Sequence, residues 1–382
     1  MSLKYENYIF DLYGTLIDIR TDENKPEFWE KIAEFYACYG ADYSAFELRT
    51  IYVETVHRME QELADREGKA FPEIQLEYVF AWLLINAPKK HEARLPLYDG
   101  RYVEIRGIMP EKEREAKENK LPGIEQGPDS TRNVVQGNVR QNPADFDFRG
   151  NPWNLGQNRV LMEELVHSAW VRDLSNLFRV LSREKIEVYP GTKEIFEEIK
   201  SEGGKIYLLS NAQALFTIPE IEQMGLMPYF DGVYISSDKR MKKPQPEFMQ
   251  LLIDEQQLDK TRSVMIGNDV EADVGVAVRN GMQSVFLNTD DLTKSELKAR
   301  LDHTMEGHDK SLLPRVIMSG DIRELLDGWA PFTHPERRWL RRHHPRRKRL
   351  DGRILRTYFH LGRTVQRYGG HQCLCRGRCG LP

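Results

Sequence analysis

Asn7-Tyr8-Ile9-Phe10-Asp11-Leu12-Tyr13-Gly14-Thr15-Leu16-Ile17 is a short apolar run that ends on an aspartate, turns at a glycine and continues through a threonine. In open α/β sheets the catalytic groups collect just past the carboxyl ends of buried strands, where loops converge and helix N-termini supply positive potential. Asp11 is placed like such a group. An aspartate that merely caps a turn reads the same way in isolation, so the residues downstream decide between the two.

From Val188 onward, strands alternate with helices of about a dozen residues. The apolar runs Lys205–Ser210, Gly232–Ser236, Ser263–Ile266, Ser284–Leu287 and Arg315–Met318 read as strands. Between them lie helical patterns after Tyr189-Pro190-Gly191, from Pro219 to Met224, from Pro246 to about Gln257, from Val270 to Asn280 and from Asp321 to Leu326. That alternation predicts a parallel sheet covered on both faces. The first strand belongs with it, because one strand followed only by helices cannot bury its own edges.

Directly after Asp11 the pattern turns helical. Pro26 suits a first helical position, and Phe28, Trp29, Ile32, Phe35, Tyr36 and Tyr39 recur at helical spacing until Gly40. Ser44 and Glu47 make a capping-box pattern that opens a second helix, which stops near Gly68. A third spans about Pro72 to Asn86, and the periodicity resumes from Leu161 to Leu181. These aromatic stripes read as core, and the helices as a lid inserted after the first strand. Cys38 reads as a small buried hydrophobe. Residues 92–157, rich in Gly, Pro, Asn and Gln, read as an irregular and partly disordered insertion with a short helix at Glu111–Lys120.

The 382 residues carry a net charge of −4, but Pro335–Pro382 holds fourteen Arg and Lys against two acids, so the body is markedly acidic. Such a tail has the charge to meet nucleic-acid phosphates or an anionic surface, yet residues 331–382 show no domain pattern and read as a disordered extension. The spacing of His371, Cys373, Cys375 and Cys379 matches no common structural zinc motif. No apolar run is long enough to span a membrane and the N-terminus lacks a signal-peptide pattern, so a cytoplasmic location is expected.

Three further strand ends carry the polar groups that phosphoryl chemistry needs: Ser210-Asn211, Lys242-Lys243-Pro244 and Gly267-Asn268-Asp269 with Asp273. A carboxylate attacking a phosphoryl group is an anion meeting an anion, so the site must supply compensating positive charge and directed donors. In this order the four motifs resemble the haloacid dehalogenase-like hydrolase superfamily, over about residues 5–90 and 160–330. The resemblance implies a Rossmann-like, three-layer α/β/α core from 1–17 and 186–330, with a helical cap from 18–91 and 158–185. It further implies a Mg²⁺-dependent phosphatase acting on a small phosphorylated molecule through an aspartyl-phosphate on Asp11. By the same resemblance Ser210 and Asn211 bind the phosphate, Thr15 is a motif donor and Lys243 neutralises charge. The metal would take Asp11, the backbone carbonyl of Tyr13, Asp269 and Asp273.

Two positions depart from that pattern. Most phosphatases of the family place a second Asp where Tyr13 stands, to protonate the leaving group, and a tyrosine is a poor base at neutral pH. Asp-x-Tyr-Gly-Thr is instead similar to the metal-independent 2-haloacid dehalogenases, whose aspartate attacks carbon. The helix start Gln75-Leu76-Glu77-Tyr78 is similar to theirs too, but Phe71 and Pro72 stand where they have a Trp and a substrate-binding Arg. In the fourth motif the acid that normally follows the glycine is Asn268, which puts Asp269 one place off and makes Asp273 the safer ligand. A third alternative is a weakened hydrolase fold whose basic tail binds polyanions.

Overall fold

The computed structural model describes residues 5–87, 93–96, 102–106, 134–136 and 158–326. Its central feature is a six-stranded sheet. In chain order the strands are β1 (Asn7–Phe10), β2 (Ile17–Thr21), β3 (Ala93–Pro96), β4 (Tyr102–Arg106), β5 (Val134–Gln136), β6 (Arg183–Val188), β7 (Lys205–Ser210), β8 (Gly232–Ile235), β9 (Ser263–Gly267), β10 (Gln283–Leu287) and β11 (Arg315–Ile317). The main sheet runs β11-β10-β9-β1-β7-β8 with every neighbour parallel.

β1 lies centrally because its residues are apolar on both faces, as a strand covered by helices above and below requires. The two-residue alternation of a strand sends Tyr8 and Phe10 into one apolar cluster, with Ile206, Leu208, Val264, Ile266 and the helix Thr192–Ser201. It sends Ile9 into the other, with Tyr207, Leu209, Met265 and the helix Pro246–Gln256. Phe10 pairs with Leu208 on one side and Ile266 on the other, so Asp11, Ser210 and Gly267 emerge together at the same end of the sheet. This is the three-layer α/β arrangement expected from the alternation.

The helices α1 (Pro26–Ala37), α2 (Ala45–Glu67), α3 (Leu76–Ile85), α4 (Asn158–Val166) and α5 (Ala169–Ser182) form a second unit with its own apolar core. Phe178 lies at its centre, with ring centroids 4.8 Å from Phe28, 5.3 Å from Phe80 and 5.8 Å from Tyr52. Ser44 caps α2 as expected, its Oγ accepting from Glu47 N–H while Glu47 Oε2 accepts from Ser44 N–H, and Gly68 ends the helix at φ 63°.

Several features differ from the sequence reading. The chain does not turn helical straight after the loop that follows Asp11. It first forms β2, which pairs antiparallel with β6 from Ile17 opposite Val188 to Thr21 opposite Arg183, so a two-stranded ribbon carries the chain into and out of the helical unit. The helix Lys294–Thr304, capped by Thr293 and Glu296, is a further element that apolar periodicity did not mark. Cys38 is exposed rather than buried. Two residues past the buried Tyr36, it lies roughly 200° around the helix from the apolar face. Where an irregular insertion was expected, β3, β4 and β5 pair in a small sheet; the Glu111–Lys120 run and residues 331–382 lie outside the described residues. Among the described residues no helix is long and apolar enough to cross a membrane.

Candidate active site

At the head of β1 the Asp11 carboxylate is buried, and its Oδ1 accepts from Lys243 Nζ at 2.7 Å and from Ser210 Oγ at 3.2 Å. The same ammonium donates to Asp273 Oδ1, also at 2.7 Å. Three strand-end loops therefore meet on one lysine. Burial alone would lower the Lys243 pKa, but the carboxylates of Asp11 and Asp273 outweigh it and hold the ammonium above the ordinary lysine range.

Asn211 fixes that lysine through its backbone. Its amide accepts from Lys243 N–H at 2.7 Å and donates to Lys243 C=O at 2.9 Å. The side-chain amide of Asn211, a residue expected to meet phosphate, is engaged with the lysine loop. Thr15 Oγ donates to Asn268 Oδ1 at 3.1 Å, tying the loop after β1 to the loop after β9.

Asp273 is almost fully buried and leans over Gly267, where a Cβ would collide with its carboxylate. Its second oxygen accepts from Asp269 N–H at 2.9 Å. Burial pushes its carboxyl up against the pull of Lys243, with Asp11 and Asp269 adding to the rise. Asp269 turns its Oδ1 into the following π-helical turn, accepting from Glu271 and Ala272 N–H. One ammonium facing this many carboxylates leaves a buried surplus of negative charge. A donor set of that kind suits a hard divalent cation, although among the described residues no three His, Cys, Asp or Glu side chains converge on one point.

Tyr13 goes elsewhere. Its hydroxyl donates to Glu220 Oε2 at 2.5 Å and lies 3.2 Å from Thr217 Oγ. Glu220 is also held by Arg179, at 2.7 and 3.0 Å, and by Arg183 at 3.0 Å, and the Arg179 guanidinium lies 5.6 Å from the centre of the Tyr13 ring. Burial raises the Tyr13 hydroxyl above the usual tyrosine range, opposed by Arg179 and reinforced by Glu220. Its proton is directed at Glu220. Through Glu220, Tyr13 links the loop after β1 to Arg179 on α5 and Arg183 on the ribbon strand β6. Tyr13→Phe should cost about 1.5–3 kcal/mol, the worth of a buried hydrogen bond to a charged group, seen as an earlier denaturant midpoint. Turnover should fall far less than on loss of Asp11.

Sequence reasoning missed Glu220, Arg179 and Arg183, which lie well over a hundred residues from Tyr13 and carry no motif. It also missed Thr289, whose Oγ donates to Gly14 C=O at 2.6 Å, and Asp290, which accepts from Asn268 Nδ2 at 3.3 Å. Gly14 takes φ 84°, which explains the glycine in the loop. A further connection runs from Phe71 and Leu76 to the loops after β7 and β8. Lys242 N–H donates to Phe71 C=O at 3.0 Å, Phe71 N–H to Gln245 Oε1 at 3.1 Å, and Leu76 N–H to Gln213 Oε1 at 3.0 Å.

Asp11, Ser210, Lys243 and Asp273 thus converge at one end of the sheet from separate strand-end loops. A family model for haloacid dehalogenase-like hydrolases matches residues 5–281, and the chain belongs to that family. It is 25% identical over 130 residues to a ribulose-1,5-bisphosphate 5-phosphatase of Halopiger xanaduensis, covering 32% of this chain and 54% of the relative. To a phosphoglycolate phosphatase of Vibrio parahaemolyticus it is 29% identical over 154 residues, covering 37% and 65%. The matched stretches thus span about half to two thirds of these relatives' lengths. Among solved structures, the L-2-haloacid dehalogenase of Xanthobacter autotrophicus is 16% identical with a TM-score of 0.37, covering 85% of this chain and all of that one.

Proposed function

We propose that the protein is a Mg²⁺-dependent phosphatase of small phosphorylated molecules, with the helical unit, residues 18–91 and 158–185, as the cap over its site. The observation that carries this reading is the Asp11 carboxylate flanked by Lys243 Nζ at 2.7 Å and Ser210 Oγ at 3.2 Å. A carboxylate beside an ammonium and a hydroxyl can meet a phosphoryl oxygen with two donors while it attacks phosphorus. The phosphoryl group passes to Asp11 as the P–O bond to the ester oxygen breaks, the departing alkoxide takes a proton from solvent water, and a second water then cleaves the acyl phosphate to free the aspartate and inorganic phosphate. The names of the curated relatives support the same chemistry. Asp11, the Tyr13 carbonyl, Asp273 and Asp269 are the residues that would hold Mg²⁺, which when bound neutralises charge on the transferring group.

Chelation should remove hydrolysis of p-nitrophenyl phosphate and added Mg²⁺ should restore it; full activity in excess EDTA would exclude the proposal. One observation favours a second reading. With the Tyr13 hydroxyl committed to Glu220, that position supplies no proton, and halide is a leaving group that needs none. Chloride release from 2-chloropropionate in chelator would establish dehalogenation in its place.

A further inference from the structure

Residues 68–75, between α2 and α3, are tied to two of the loops that supply partners to Asp11. At one end Phe71 C=O accepts from Lys242 N–H at 3.0 Å, Phe71 N–H donates to Gln245 Oε1 at 3.1 Å, and Pro72 bridges antiparallel to Met241. At the other end Gln213 commits its whole side-chain amide. Its Oε1 accepts from Leu76 N–H at 3.0 Å, and its Nε2 donates to Ile74 C=O and to Glu73 Oε1, both at 2.9 Å. The segment therefore bridges the chain after β8 and the chain after β7.

Glu73 reaches both loops with one carboxylate. Besides its bond to Gln213, its Oε2 lies 3.7 Å from Lys242 Nζ and 3.4 Å from Ser236 Oγ. Ser236 is itself a tie between the loops, its hydroxyl accepting from Ala212 N–H at 2.8 Å and lying 3.0 Å from Ala212 C=O. Lys242 has a second carboxylate partner in Glu60 of α2, at 3.0 Å. The side chains of Glu73, Lys242 and Glu60 are 12%, 17% and 14% exposed, so these contacts are made largely out of water, where screening is weak.

Both attachments lie beside groups that touch Asp11. Gln213 follows Ser210 and Asn211 in the same loop; Ser210 Oγ reaches Asp11 Oδ1, and the Asn211 amide holds both backbone groups of Lys243. Lys242 directly precedes Lys243, whose ammonium bonds Asp11 and Asp273. Two consecutive ammonium groups thus have different partners, Lys242 on the helical unit and Lys243 at the head of the sheet. A shift of either loop moves a donor relative to Asp11, and a misplacement of about 1 Å can cost roughly a hundredfold in rate.

We propose that Glu73 is a positioning residue: its carboxylate, supplied by the helical unit, fixes the separation of segments 210–213 and 242–245 and with it the placement of Ser210 and Lys243 on Asp11. The proposal rests on the phosphatase reading for the reaction that is measured, and not for the loop geometry.

Glu73→Ala and Glu73→Gln are compared with the wild type in p-nitrophenyl phosphate turnover with Mg²⁺ and in amide hydrogen exchange read by mass spectrometry. Glu73→Ala should lower kcat by about tenfold and change KM by less than about twofold, because the same groups meet the substrate but are less well placed for the transition state. Peptides covering 211–214 and 242–245 should exchange about tenfold faster, while those of β1 and β9 keep the wild-type rate. Glu73→Gln, whose amide oxygen can still accept from Gln213, should stay within about threefold of the wild type on both measures. Unchanged kcat in Glu73→Ala, a loss carried by KM alone, or faster exchange throughout the sheet would overturn the assignment. A wild type without phosphatase turnover would reject the phosphatase reading alone, and the exchange comparison would then decide whether Glu73 holds the two loops. Turnover in the wild type with no change in either loop on Glu73→Ala rejects the positioning role alone.

Discussion

Lys243→Met should lower stability by about 3–5 kcal/mol, the cost of breaking a buried ion pair by removing one partner, and should abolish turnover. Lys243 is 3% exposed and is the shared donor to Asp11 and Asp273. Methionine keeps much of the stem but leaves both carboxylates in a dry site with no counter-charge. Pairing the change with Asp273→Asn should recover part of the lost stability, because it removes one of the stranded charges, and should recover no activity. Chemical denaturation of the two variants beside the wild type reads this directly, and a single variant as stable as the wild type would show that the lysine carries no structural charge. The pH dependence follows from the raised pKa. The folded value lies above the 10.5 of an exposed lysine. The contribution is therefore complete below about 10.5 and is lost as pH climbs through the folded value. The variant should accordingly lack that part of the alkaline fall in stability.

Much of this site is legible in the sequence. Tyr8, Ile9 and Phe10 announce a strand covered on both faces, and a polar group at the end of each such strand marks the edge where loops meet. Lys243 is identifiable because it precedes Pro244 after a strand, and Asp273 because it follows Gly267 at motif spacing. What is not legible has a common cause. The role of Tyr13 depends on Glu220, Arg179 and Arg183, which reach it only once the ribbon β2–β6 has brought the helical unit back to the sheet. Nothing local to Tyr13 encodes that arrangement. The ribbon itself escapes notice because Ile17–Thr21 and Arg183–Val188 alternate apolar with charged residues over too few positions to stand out beside long aromatic helices. Asn211 shows the converse limit. Its position is recognisable, but its amide is spent on the backbone of Lys243, a geometric fact that residue type alone does not carry.

Asp11→Asn should reduce turnover by about 10⁴-fold or more, as expected for loss of a nucleophile acting with its supporting groups, while leaving the protein at least as stable. The two halves of that expectation have one origin. The amide oxygen of the substituted asparagine can still accept from Lys243 and Ser210, as Asp11 Oδ1 does, so the loop keeps its shape. The substitution also removes one negative charge from a buried cluster that holds more carboxylates than ammonium groups, a charge that adds to the effect of burial in raising the Asp273 carboxyl. A purely structural aspartate would behave in the opposite way, with its replacement lowering the denaturant midpoint and sparing the chemistry. Mass spectrometry of acid-quenched wild-type protein after brief exposure to substrate should find phosphate on the peptide containing Asp11, and none on the asparagine variant. Undiminished hydrolysis by Asp11→Asn, or phosphate trapped on another side chain, would remove Asp11 from the reaction and with it the proposed order of bond making and breaking.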